Sequence, residues 1–98
     1  MKVKFEISLP MNLSYGRATE EVREEMLKIE RVISSKIESV IFDLPFLPTK
    51  EMSVDILEFG DFFGLSEEEY EYIVNYCDGI HDISSLMITP EYLEVALN

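Results

Sequence analysis

Beyond Lys50 this 98-residue chain has no lysine or arginine, and in all of it there is one cysteine, one histidine and no tryptophan. A lone cysteine, Cys77, forms no internal disulfide, which favours a reducing compartment. The opening MKVKFEISLPMNL has no continuous apolar stretch of the kind a secretory leader needs. No apolar run approaches the roughly 18 residues of a spanning helix. The expectation is a cytoplasmic chain that crosses no membrane. What is plentiful is apolar and acidic: 47% of residues are hydrophobic, and the formal net charge is −12. A chain of this length hides about two-thirds of its extended surface on folding, enough for one core, so residues 1–98 read as a single domain.

The charge is unevenly placed. All eight basic residues lie in the first fifty positions, where eight acids balance them; the remaining half has twelve acids and no Lys or Arg. That half therefore carries the whole charge. Its field repels phosphates, which disfavours direct binding of nucleic acid and of anionic membrane surfaces. A basic protein surface is the partner that such a field accelerates. Acidity that serves only solubility is the plainer reading of the same asymmetry.

The spacing of apolar residues predicts the elements. KVKFEISL (2–9) alternates as a half-buried strand stopped by Pro10. MNLSYGR is a loop turning at Gly16, and Ala18, Val22, Met26, Ile29 and Ile33 then form one helical stripe. The β-branched density of 36–44 before Pro45 favours a strand over a continuation of that helix. Residues 51–59 alternate as a third strand with a late bulge. Ser66 followed by Glu69 signs a capping box, opening a helix with Tyr70, Ile73, Val74 and Cys77 inward and Asp78-Gly79 as its stop. Thr89-Pro90-Glu91 reads as the start of a short final helix. The expected class is α+β, β-α-β-β-α plus that helix. It has a mostly antiparallel sheet of three to four strands with helices packed on one face. A strand over 84–95 would give instead the ferredoxin-like β-α-β-β-α-β order. Residues 66–97, as helix, Asp-Gly turn and Thr-Pro-Glu helix, resemble the compact three-helix arrangement of the winged-helix class. The lack of any base there argues against DNA reading.

Chemistry-bearing residues concentrate in NYCDGIHD (75–82). Zinc takes three or four ligands from Cys, His and carboxylates, and Gly79 breaks the helix between Cys77 and His81, so no metal site is expected. A thiol on an apolar stripe among acids is a poor nucleophile, so Cys77 reads as core, Asp78-Gly79 as the turn, and His81 as a surface or capping residue. Glu67, Glu68, Glu69 and Glu71 point in diverging directions and show no calcium-loop spacing. No metal, no cofactor and no catalytic constellation of nucleophile, base and orienter is expected.

The remaining candidates are contact surfaces. With Tyr70 inward, Tyr72 falls about 200° away, on the polar face with Glu68, Glu71 and Asn75, where an aromatic is the kind of anchor interfaces favour. Phe62-Phe63 cannot easily both face one core and form a second candidate; more often one of such a pair packs inward. The sequence thus suggests a non-catalytic acidic module that binds a basic protein surface, as a regulator, inhibitor or immunity-type binder. An assembly subunit that self-associates through apolar patches comes second, and a small enzyme last.

Overall fold

The first strand, β1 (Lys2–Ile7), follows from the alternation of KVKFEI: Val3, Phe5 and Ile7 are buried, while Lys2 and Glu6 are exposed. The computed structural model describes residues 1–9, 11 and 19–98; Pro10, the Gly16 turn and Ala18 lie outside them. After β1 come α1 (Glu20–Glu38), β2 (Ile41–Asp43), β3 (Ser53–Asp55), α2 (Gly60–Phe63), α3 (Glu67–Tyr76), β4 (Ile80–Ile88) and β5 (Leu93–Leu97). The class is α+β, as expected. The sheet, however, has five strands in the order β2-β1-β5-β4-β3. It is mixed: β1 runs parallel to β5, with Phe5 opposite Val95, and the other pairs are antiparallel.

Four expectations are corrected. The helix over 18–33 runs on to Glu38, and only Ile41–Asp43 of the stretch 36–44 is strand. Ser39 caps it there, its hydroxyl donating to the Lys36 carbonyl at 2.8 Å. The third strand is only three residues, because 56–59 turn into α2. Residues 80–97 are neither a helix pair nor the single strand of a ferredoxin-like order, but a hairpin, which removes the three-helix resemblance. Its turn explains why Thr89-Pro90-Glu91 reads as a helix start. The Thr89 hydroxyl accepts the Tyr92 N–H at 3.0 Å and donates to the Tyr92 carbonyl at 2.6 Å. The same hydroxyl that caps a helix three residues on can close a turn three residues on. Beyond it, LEVAL alternates Leu93, Val95 and Leu97 into the core, and the period of two wins.

Inward residues of β1 and β5 join Ile33 and Ile37 of α1, Phe63 of α2 and Tyr72 and Ile73 of α3 in one core. Five of the six phenylalanines form a ring-to-ring network with Phe42 near its middle. Its centroid lies 5.3 Å from Phe59, 5.4 Å from Phe63, 5.5 Å from Phe5 and 5.7 Å from Phe62. A three-residue edge strand is thereby held by its aromatic side chain as much as by its ladder. Urea unfolding should show Phe42→Ala costing about 3–5 kcal/mol. Phe62→Ala, at the exposed rim of the same network, should lose only about 0.5–1.5 kcal/mol.

Candidate protein-binding surface

The placement of every candidate depends on the rotation of α3. Its capping box forms as the sequence predicts: the Glu69 N–H donates to Ser66 Oγ at 3.2 Å, and the Ser66 N–H donates to Glu69 Oε1 at 2.8 Å. The same Glu69 oxygen is paired with Lys36 Nζ, near the end of α1. Burial by itself raises the Glu69 carboxyl, but the hydrogen bonds from Lys36 and Ser66 outweigh it and hold the group below the ordinary carboxylate range. A carboxylate so supplied can be buried, and Glu69 is. The inward side of α3 therefore reads Glu69, Tyr72, Ile73.

That phase overturns the expected one. Tyr72 is only 7% exposed and packs against Tyr76, its ring tilted, at 5.3 Å between centroids. Tyr70, expected inside, is 44% exposed, and Val74 faces out with it. The exposure on which Tyr72 was to serve as an anchor is absent. Glu68, Glu71 and Asn75 are exposed, but the aromatics exposed on this helix are Tyr70, beside the acids, and Tyr76 at its end. Of the adjacent phenylalanines, Phe63 is buried and Phe62 is 67% exposed. What hid the correct phase is a polar residue on an inward position. The Ser66/Glu69 box was visible in the sequence, but nothing local reveals that Lys36, 33 positions earlier, neutralises its carboxylate.

The corner before α3 completes the surface. Gly64, at φ 70°, ends α2 with a left-handed residue whose N–H reaches back to the Asp61 and Gly60 carbonyls. This sharp return sets α2 against the start of α3. A side chain on Gly60 would lie 3.9 Å from Tyr70 Cδ2, so the tyrosine ring stands directly over that glycine. Between the two helices is a hollow of about 310 Å³ lined by Leu57, Glu58, Gly60, Asp61, Leu65 and Tyr70. Its exposed lining is mostly polar: two carboxylates beside an aromatic face, with the half-buried Leu57 and Leu65 beneath. Among the described residues, no ion pair reaches Glu58, Asp61, Glu67, Glu68 or Glu71.

The segment NYCDGIHD is taken apart by the fold. Cys77 caps α3 and is packed partly into the core, where burial and then the neighbouring Glu30 carboxyl push its thiol up to about 12. Asp78 Oδ1 accepts the Ile80 N–H at 3.0 Å. His81 is a correction: it is buried on β4, opposite Val54 of β3. Gly79 has no positive φ; a Cβ there would lie 3.0 Å from Leu57 Cδ1, so the leucine would have to give by a few tenths of an ångström. Among the described residues, no group of three or more His, Cys, Asp or Glu is placed to hold a metal. None of their helices is long and apolar enough to cross a membrane. No protein family, curated protein or solved structure matches the chain.

Two outcomes test the rotation of α3. Tyr72→Ala should cost about 3–5 kcal/mol, as truncation of a buried aromatic does, whereas Tyr70→Ala should stay within about 1 kcal/mol of the parent; chemical denaturation measures both. Because the Glu69 carboxyl lies lower in the folded than in the unfolded chain, its contribution is present above the unfolded value of about 4.3. That contribution is lost as pH falls through the folded value. Melting temperature followed from neutral pH down through this window should therefore fall less steeply for Glu69→Gln than for the parent.

Proposed function

We propose that the chain is a non-catalytic acidic module that binds a basic protein surface, using the outer face of α3 and the hollow between α2 and α3. The observation that carries this reading is the exposed Tyr70 ring standing over Gly60 in a hollow that the carboxylates Glu58 and Asp61 also line. A lysine or arginine side chain suits such a place. Its aliphatic stem covers Leu57 and Leu65, its head meets a carboxylate, and its charge lies against an aromatic face. Glu67, Tyr70, Glu71 and Val74 follow one another at steps of three, one and three, so they continue the same surface along one side of α3. Phe62, exposed at the neighbouring helix, supplies apolar area that an interface can cover. The six basic residues that fall among the described elements of the first half are on or near β1 and α1. No base of the chain itself belongs to α2 or α3.

Capture from source lysate at low and high salt identifies the partner, and variants then locate the surface. Tyr70→Ala should weaken binding by about 1–2 kcal/mol, roughly tenfold in Kd, with little change in stability. Glu58→Lys with Asp61→Lys should slow association most at low salt. If a verified partner binds both variants like the parent, this surface is not the interface.

A further inference from the structure

The sheet has an edge that its own strands leave open. β3 covers only the first part of β4: the pairing runs Asp55 with Ile80, Val54 with His81 and Ser53 with Asp82, and the last backbone bond is Ile83 N–H to the Met52 carbonyl at 3.2 Å. From Ser84 to Ile88, β4 has β5 on one side and, among the described residues, no strand on the other. The bulge between Ile83 and Ser85 falls where β3 stops, so Ser85–Ile88 continue in regular register with β5. Five residues give an edge about 17 Å long. Open edges are normally blunted by charge or proline. This one has neither: ISSLMIT (83–89) lacks any charged residue. Ile88 is 88% exposed, and Met87 is exposed on the opposite face.

We propose that a second copy of the chain pairs antiparallel along Ser85–Thr89, at the regular end of β4, joining the two sheets into one. The charge pattern favours this occupant. The half of the chain that contains the edge carries twelve acids and no base, yet the edge itself carries none, so two like-charged copies meet at the place where neither presents a carboxylate. A basic partner, by contrast, finds nothing to pair with along it. The residue pattern is self-complementary as well. With the two-fold axis at Met87, Leu86 of each copy faces Ile88 of the other on the core side of the sheet, and the two Met87 side chains meet on the outer side. On the core side, Leu86 and Ile88 also line a mostly apolar hollow of about 560 Å³ with Leu47, Pro48 and Leu93, whose lining includes one base and one acid, Lys2 and Glu91. The second copy's Leu86 and Ile88 lie along its mouth.

Sedimentation equilibrium of the full chain across concentration tests the proposal. A dimer is expected, and it should strengthen as salt rises from about 0.05 to about 0.5 M, because screening removes the repulsion between two acidic chains. Ile88→Lys lowers that repulsion, so its expected rise of about tenfold or more in the dimer dissociation constant reports lost pairing. Met87→Cys provides a second readout that does not depend on weakening anything. Directly opposed residues of an antiparallel pair have Cα atoms about 4.5–5.5 Å apart, within the range of about 4.4–6.8 Å that a disulfide spans. Mild oxidation should therefore cross-link Met87→Cys rapidly, and Ile41→Cys, exposed on the β2 edge, should not respond. A monomer at every concentration, a dimer that ignores Ile88→Lys, or equal cross-linking of the two cysteine variants would each overturn the proposal. So would a monomer that takes up a basic peptide along Ser85–Thr89 instead.

Discussion

One carboxylate holds the helical layer in register. Glu69 closes the capping box of α3 and receives Lys36 from the last turn of α1. The two helices are thus fixed end to start, and α3 can turn about its axis only by breaking both contacts. A buried carboxylate stripped of its cation is expensive, so the arrangement is close to all-or-none. Every feature of the outer face follows from that rotation: Tyr72 and Ile73 go into the core, and Tyr70 and Val74 stand out beside the acids. The partner-binding reading depends on the same setting, because a helix turned by one position would bury Tyr70 and close the hollow over Gly60.

Glu30 plays a similar part in α1. It is fully buried on the inward side with Ile33 and Ile37, and one of its oxygens accepts the Met11 N–H. Both helices thus place a glutamate where an amphipathic pattern asks for an apolar residue, and this decided how much the sequence could disclose. The first strand, the capping box and the α+β class were legible from periodicity and caps, which are local. The phases of both helices were not. Val22 and Ile29 look like core and are exposed, while Glu30 and Glu69 look like surface and are buried. Only contacts from distant segments justify the reversal. The hairpin at Thr89 failed for another reason, since a hydroxyl three residues before an N–H fits two backbone geometries, and the alternation of Leu93, Val95 and Leu97 had to arbitrate. Partner surfaces inherit these errors directly. An anchor chosen from helical phase is only as good as the phase, and Tyr72 and Tyr70 exchange roles when it turns.

The charge asymmetry takes a spatial form in the fold. Bases accompany β1 and α1, while α2, α3 and the β4–β5 hairpin carry acids; among the described residues these meet bases at Glu69, paired with Lys36, and at Glu94, opposite Lys4 of β1. Within that acidic half, the surfaces differ in character. The α2–α3 face combines carboxylates with an exposed ring, and the end of β4 has exposed apolar groups and no charge. A basic partner and a second copy would therefore occupy different sides of the molecule, with opposite responses to salt.

The parallel pairing of β1 with β5 also governs when this fold can form. Residues 3–7 lie beside residues 93–97 in the middle of the sheet, so a growing chain carries its first strand, with Val3, Phe5 and Ile7 lacking their parallel neighbour, until Leu93–Leu97 has been made. Before β5 arrives, β1 with β2 and β4 with β3 are two separate ribbons that share no hydrogen bonds across the gap. Completion of the sheet then requires closure of the long loop from β1 to β5, a slow step by the ordinary dependence of folding rate on contact separation. Synthesis that halts before Leu93 leaves a product with both ribbons and no strand to join them, and such a product exposes its apolar faces to whatever chaperone or protease is near.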